Sequence, residues 1–241
     1  MVRHFVVIAS SYSRSTRVAL DYLFDAYSKE TIKDDLARIK SECGKDVRIS
    51  TQSILAESDR WDSVVKSDPF FRGIELLDSV EVFIECVNHN LDLTGLDVAN
   101  YILSQTPCCK HLKLEKLVFL SFANYLCNTK EQLFRNTIYA FNYGPVVEDV
   151  YEKFKHSNNK VLSKGYAENE MSFKSRILYS ENGLEKIKAI NETIEKYGNM
   201  SAASLVNITH RRNSPWDMIY DGSSYKEIPI EVIYSNHCYE C

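Results

Sequence analysis

The residues best suited to chemistry are cysteines and histidines in two parts of the chain. Cys238 and Cys241 have C-x-x-C spacing next to His237, and residues 108–111 supply two more cysteines and a histidine. A structural zinc site needs four ligands, usually in two spaced pairs, whereas the cysteines at 108 and 109 are adjacent. An odd total of seven cysteines also argues against a disulfide framework. We therefore predict free thiols, no metal and no cofactor.

Motifs for phosphate binding or nucleophilic catalysis are not recognisable. Ser10–Ser15 follows an apolar stretch but contains no glycine, which a phosphate-binding loop needs for close backbone approach. Cys86 and Cys127 lie in apolar segments and are interpreted as core residues. We predict that the protein is not an enzyme. One alternative stays open, a nucleotide- or phosphate-handling enzyme with its site in the N-terminal region.

Composition restricts the class of partner and the compartment. A hydrophobic content of 44% excludes a disordered chain, and 29 basic against 33 acidic residues disfavour nucleic acid. The longest apolar runs, Phe5–Ala9 and Leu117–Leu120, are too short to span a membrane. The first of them is also too short for a secretory signal. We expect a cytoplasmic protein without a membrane partner.

Residues 1–88 carry both strand and helix patterns, which predict a small α/β region of unknown type. Ser28 is a candidate N-cap, followed by apolar residues at helical spacing. The predicted elements are a strand at Arg3–Ala9, a helix from Ser15 or Thr16 to Tyr27, a helix from Ser28 to about Gly44, a strand at Asp46–Ser53, and a strand or short helix at Ser79–Val87.

Residues 89–241 are predicted to form a mainly α-helical domain with a small β-hairpin, so the whole chain is classed as α+β. Glu131–Ala140 is interpreted as a helix or its lead-in, and alternation at Ser172–Ser180 predicts the hairpin. The remaining predicted helices are Gly95–Gln105, Leu112–Cys127, Pro145–Phe154, Asn182–Lys196 and Ser201–Ile208.

A glycine and a proline mark the most informative turn. Gly144 permits a positive φ, and Pro145 favours the first turn of a helix. Residues that recur at helical spacing around this turn are expected to pack on Leu114, Leu117 and Phe119 of the long apolar helix. They are Tyr143, Val146, Val147, Val150, Tyr151 and Phe154.

Polar residues farther along give three more expectations. His210 and Trp216 are interpreted as a buried pair whose ring N–H groups find partners. Lys113 and Lys116 are predicted to be solvated. The tyrosines of the C-terminal part serve either the core or a protein interface, a choice that the sequence leaves open. They are Tyr220, Tyr225, Tyr234 and Tyr239.

Three stretches in the second half together resemble one family. His111–Leu120, Tyr139–Phe154 and Ser201–Trp216 are similar, in order and spacing, to the Panacea domain of SocA-like antitoxins, and the resemblance covers about residues 90–235. It implies a mainly helical, non-enzymatic protein that binds and neutralises a cognate toxin. In one branch of the family the toxin is delivered to a cellular protease, so a protease adaptor is an alternative function.

The family motif does not fix which residues face the toxin. We take Tyr143, Gly144, Pro145, Val146 and Tyr151, together with His210 and Trp216, as scaffold residues and as candidates for partner binding. The N-terminal region has no family resemblance, and its edge strands are natural places for a partner strand to pair.

Overall fold

The computed structural model describes residues 1–11, 16–24, 26–44, 47–157, 160–223 and 225–237. The chain forms two compact units, Met1–Leu91 and Asp92–Cys241. The first unit combines a sheet with helices and the second is mainly helical, so the predicted α+β class is confirmed. No helix in the described ranges is long and apolar enough to cross a membrane.

The first unit is built on a four-stranded sheet in the order β3-β1-β2-β4. β1 pairs antiparallel with β2 and β3, and β4 lies parallel to β2. Its elements are β1 (Val2–Ser11), β2 (Thr16–Leu23), α1 (Lys29–Glu42), β3 (Ile49–Ala56), α2 (Trp61–Ser67), a 3-10 turn (Pro69–Phe71), β4 (Ile74–Leu76) and α3 (Val80–Leu91).

Apolar side chains cover both faces of this sheet. On one face, Val7 and Leu20 pack with Ile39 of α1 and Phe83 of α3. On the other face, the sheet packs with Val64 of α2 and with the 3-10 turn. The two central strands, β1 and β2, are therefore buried on both sides in the middle of a three-layer arrangement.

The prediction of a helix from Ser15 or Thr16 to Tyr27 was wrong, because Thr16–Leu23 is strand β2. Val18, Leu20 and Tyr22 face one core, while Ala19 faces the other, so the burial has no clear period of two. The strand signal was further hidden by Asp21, whose carboxylate pairs with buried His4 at 2.7 Å.

The other predictions in this unit differ in outcome. The helix capped by Ser28 is confirmed as α1, where the serine hydroxyl accepts the Thr31 N–H. The strand predicted from residue 46 is observed three residues later as β3. The ambiguous segment that begins at Ser79 is helix α3, since Phe83, Ile84 and Val87 share its buried face.

The second unit surrounds one long helix, α5, whose two middle turns are buried almost all round. It contacts α4, α8, α9 and α11. The elements are α4 (Gly95–Gln105), α5 (His111–Thr129), β5 (Ile138–Phe141), β6 (Gly144–Val147), α6 (Glu148–Phe154), a 3-10 turn (Ala167–Asn169), α7 (Glu170–Leu178), α8 (Gly183–Tyr197), α9 (Ala202–Thr209), α10 (Pro215–Ile219), β7 (Lys226–Glu227) and α11 (Ile230–His237).

The β-hairpin of this unit lies where helices were predicted. Residues 131–140 lead into β5 instead of forming a helix, and Pro145 lies in strand β6 instead of starting α6. The sheet order β6-β5-β7 makes β6 an edge, where a proline is tolerated because its missing N–H is not needed. The hairpin predicted at Ser172–Ser180 is helix α7, whose Phe173 and Ile177 reach the core at i, i+4 spacing.

The start of α4 is a capping box. The Thr94 hydroxyl accepts the Asp97 N–H at 3.2 Å, and the Asp97 carboxylate accepts the Thr94 N–H at 2.9 Å. We expect Thr94→Ala to lower the free energy of unfolding by about 1 kcal/mol, since one N-terminal donor loses its acceptor. Urea unfolding followed by circular dichroism measures this. Thr94→Ser keeps the hydroxyl, and a loss as large as that of the alanine variant would contradict the capping role.

Candidate partner-binding surface

The β5–β6 hairpin carries an exposed group of aromatic rings. Burial alternates along β5, so that Ile138 and Ala140 face the core while Tyr139 and Phe141 face outward. The outward rings continue onto Tyr151 of α6 and onto Tyr225 beside β7. We call Tyr139, Phe141, Tyr143, Tyr151 and Tyr225 the hairpin aromatic surface.

Four of these rings, those of Tyr139, Phe141, Tyr151 and Tyr225, contact one another, mostly edge to face. The Phe141 ring centroid lies 4.7 Å from those of Tyr151 and Tyr225, and the Tyr139 centroid lies 5.8 Å from that of Tyr225. Tyr143 and Tyr225 are 66% and 60% exposed. The surface therefore presents two large rings to solvent, and the rings of Tyr139 and Phe141 pack against that of Tyr225.

Tyr143 lies at the tip of the hairpin, and the prediction that it packs on the long helix was wrong. Because residues 144–147 form a strand and not a helix, the helical spacing that linked Tyr143 to the buried valines does not apply. The valines of β6 do lie in the core, with Val146 5% exposed and Val147 fully buried.

A stack of three rings supports the hairpin. The His210 and Trp216 centroids are 3.6 Å apart in nearly parallel planes, and Tyr220 stacks on Trp216 at 4.6 Å. Trp216 Nε1 donates to the Phe141 carbonyl oxygen at 2.7 Å, and the Tyr220 hydroxyl donates to Asn142 Oδ1 at 3.2 Å. The stack thus holds the end of β5 and the turn through direct hydrogen bonds.

His210 and Trp216 are only partly buried, so their predicted pairing is observed at the border of the core. Burial lowers the pKa of His210, and the nearby Lys116 charge lowers it further, while a hydrogen bond with the Tyr143 backbone opposes the shift. Its Nε2 is buried and has no hydrogen-bond partner among the described residues. These contacts favour an uncharged imidazole within the stack.

Lys116 was predicted to be solvated, and this was wrong, because its side chain is fully buried beneath the hairpin. Its Nζ donates to the Pro145 carbonyl oxygen at 2.7 Å. Burial lowers the pKa of Lys116 to about 7, although the charge of Glu115 acts in the opposite direction. A buried amine with a lowered pKa could serve as a nucleophile, but solvent does not reach this one, so its observed contact is structural.

Gly144 has a positive φ of 101°. It lies directly over Lys116. A Cβ at this position would lie 2.9 Å from Lys116 Nζ and 3.0 Å from Thr209 Oγ1. The glycine is therefore required both by the turn and by the close approach of the lysine. Lys113, also predicted to be solvated, is partly buried and donates to the Gly198 carbonyl oxygen at 2.6 Å.

Glu115 attaches the first turns of α5 to the hairpin from the other side. Its carboxylate is 2% exposed, accepts the Val147 N–H at 3.2 Å and lies 2.9 Å from His111 Nε2. The His111 ring also lies near Tyr151, with centroids 5.7 Å apart. Glu115 and Lys116, which are adjacent on the core helix, therefore hold the backbone of β6 at Val147 and at Pro145.

The residues predicted as scaffold or partner-binding residues therefore lie together at the β5–β6 hairpin and its support. Gly144, Pro145 and Val146 lie in β6, Tyr143 at its start, and Tyr151 on the following helix, while the two rings of the stack support the neighbouring strand. Sequence reasoning missed four contributors. They are Glu115, Lys116, Phe141 and Tyr139.

The cysteines and the N-terminal serine-rich segment supply no second site in the described chain. No group of three metal-ligating side chains is found among the described residues, and Cys238 and Cys241 lie outside them. Among the described residues, Cys43, Cys86, Cys108 and Cys109 are free thiols, as expected. Residues 12–15, most of the serine-rich segment, also lie outside the described residues. The element that follows them is a strand, so it offers no helix N-terminus for a phosphate.

The family comparison concerns the second unit. Residues 114–217 match the family model described as antitoxin SocA-like, Panacea domain. The chain is 25% identical over 130 residues to a protein named Antitoxin SocA from Caulobacter vibrioides (strain NA1000 / CB15N), a match that covers 52% of this chain and 69% of that protein. No solved structure matches the chain. The resemblance carried by the three motifs is confirmed.

Proposed function

Because residues 114–217 match the Panacea domain of SocA-like antitoxins, we propose that this chain is an antitoxin that neutralises a partner protein toxin by direct contact. We further propose that the toxin binds at the hairpin aromatic surface. The observation that carries this placement is the exposure of Tyr143, at the tip of a hairpin that is fixed from beneath, and of Tyr225 next to that hairpin.

Exposed tyrosines are suited to this role. Tyrosine is enriched at binding hot spots, since its ring buries a large area and its hydroxyl can find a partner on the other protein. The surrounding rings would exclude water around such anchors. The five rings come from β5, the hairpin turn, α6 and the segment before β7, so one partner surface could engage all of them.

The support beneath the surface favours tight binding. Trp216, Lys116 and Glu115 each hold a backbone group of the hairpin by a hydrogen bond. A hairpin that is already ordered loses little conformational freedom when a partner binds, which leaves more of the contact energy as affinity. In this proposal the predicted scaffold residues act by positioning the tyrosines.

The function is tested by co-expressing the tagged chain with the product of the neighbouring gene. We expect a stoichiometric complex and restored growth in cells where that product is toxic alone. If the partner is instead depleted, and its half-life shortens only when this chain is present, the outcome contradicts neutralisation by a stable complex and favours the protease adaptor. If neither complex nor rescue occurs, the antitoxin proposal is wrong.

The binding surface is tested with the double variant Tyr143→Ala, Tyr225→Ala. We expect its affinity for the captured partner to fall at least about tenfold, since two exposed anchors are removed. Thermal unfolding should change little because both side chains are largely in solvent. Leu184, 73% exposed on α8, provides the control variant Leu184→Ala. Equal affinity of the double variant and the control would exclude this surface.

A further inference from the structure

Strand β3 forms one edge of the sheet in the first unit. It pairs with β1 along eight residues, from Ile49 opposite Ala9 to Ala56 opposite Val2. On its other side, no strand of the described chain pairs with it. The described residues also show no backbone hydrogen bond from β3 to a loop or helix. Half of its backbone donors and acceptors therefore point outward along an open edge.

This edge lacks the features that usually prevent pairing between proteins. Natural edge strands are commonly short, or carry charges, prolines or bulges. Residues 49–56 read Ile-Ser-Thr-Gln-Ser-Ile-Leu-Ala, with no charged residue and no proline. The opposite edge, β4, has only three residues and a glutamate at its centre. The two edges of one sheet thus differ, and of these two it is β3 that is long, neutral and open.

We propose that β3 pairs antiparallel with β3 of a second copy of this chain, across a twofold axis at Gln52. The side chains alternate between two faces, and Ile49, Thr51, Ser53 and Leu55 share one face because they pair with alternate residues of β1. A twofold axis perpendicular to the sheet keeps each face continuous across the junction. The two four-stranded sheets then form one sheet.

This register matches residues that suit one another. Ile49 lies opposite Leu55 of the second copy at both ends of the junction, which covers a leucine that is 50% exposed in one copy. Thr51 lies opposite Ser53, a pair that can exchange hydrogen bonds. Gln52 lies opposite itself, and no like charges meet. The β3 strand of a second copy therefore places apolar residues against the apolar ends of this β3 and polar residues against its polar centre.

The proposal does not depend on the antitoxin function, since the Panacea match lies in the other unit. The experiment measures the mass of the full chain in solution by light scattering during gel filtration. We expect a particle of twice the chain mass of 27.8 kDa. Gln52→Lys places two ammonium groups opposite each other and should raise the dimer dissociation constant at least about tenfold. The control Leu76→Lys introduces the same charge at an exposed leucine of the opposite edge and should leave the dimer intact.

A cysteine pair tests the register. Gln52→Cys should form a covalent dimer under mild oxidation, whereas Ser53→Cys, one residue away, should do so far less, both in a Cys108→Ser background that removes an exposed thiol. A monomer at all concentrations would overturn the proposal. So would a dimer that Gln52→Lys leaves unchanged. Loss of toxin binding by Gln52→Lys in a monomeric chain would overturn it in favour of a partner strand at the same edge.

Discussion

Gly144→Ala is expected to lower the free energy of unfolding of the second unit by about 3 kcal/mol. Two costs combine in this substitution. An alanine at a φ of 101° is strained, and its Cβ would lie 2.9 Å from Lys116 Nζ and 3.0 Å from Thr209 Oγ1. Lys116 cannot withdraw without losing its hydrogen bond to the Pro145 carbonyl, and Thr209 is fixed in α9. The hairpin must therefore move away from the long helix.

The measurement is urea unfolding followed by Trp216 fluorescence, in a Trp61→Phe background so that the signal reports the second unit. Gly222→Ala is the matched control. Gly222 also has a positive φ, 96°, but an added Cβ would meet nothing within 4 Å. The control should lose about 1 kcal/mol from backbone strain alone. Equal losses in the two variants would show that the contact with Lys116 adds nothing and that the hairpin need not move away from the long helix.

The sequence predicted the turn at Gly144 but not that Lys116 lies beneath it. This difference has a physical reason. A Gly-Pro pair indicates a sharp turn by local backbone preference, which depends on the two residues themselves. That Lys116 lies beneath the turn depends on packing between segments almost thirty residues apart. A lysine on an apolar helix is normally solvated, and only the tertiary contact with Pro145 reveals the exception.

The helices and strands also divide into those that a local sequence pattern predicted and those that tertiary contacts decided. Helices such as α4 and α8 have a clear apolar stripe with polar residues opposite, and their predicted ranges agree with the structure within one residue. Strand β2 is buried on both faces and contains Ala19 and Leu20, which favour a helix, so tertiary pairing with β1 decided its conformation. The partners of Asp21 and Lys116 lie far away in sequence, and a local pattern cannot identify them.

Lys116→Met is expected to change how the stability of the protein depends on pH. Burial lowers the pKa of the folded-state Lys116 from 10.5 to about 7. Between these values the unfolded chain binds the proton and the folded chain releases it. The stability of the wild type therefore rises with pH in this window, by up to about 1.4 kcal/mol per pH unit from this group. Methionine fills a similar volume without a proton, so the variant should lack this contribution.

The difference in unfolding free energy between variant and wild type is measured at several pH values from about 6 to about 11, a range that spans both pKa values of the lysine. We expect the variant to be relatively most stable at and below about pH 7, where the wild type retains a buried charge, and to lose this advantage as the pH rises. Lys113→Met is the control, since Lys113 lies on the same helix as Lys116 and also donates to a backbone carbonyl, that of Gly198, but is only partly buried. The pH-dependent advantage of Lys116→Met should exceed that of the control, because only the Lys116 side chain is fully buried. If the curve of Lys116→Met ran parallel to that of the wild type, the buried lysine would keep its proton as long as the unfolded chain does, and the Pro145 carbonyl would then be held by an ammonium group and not by a neutral amine.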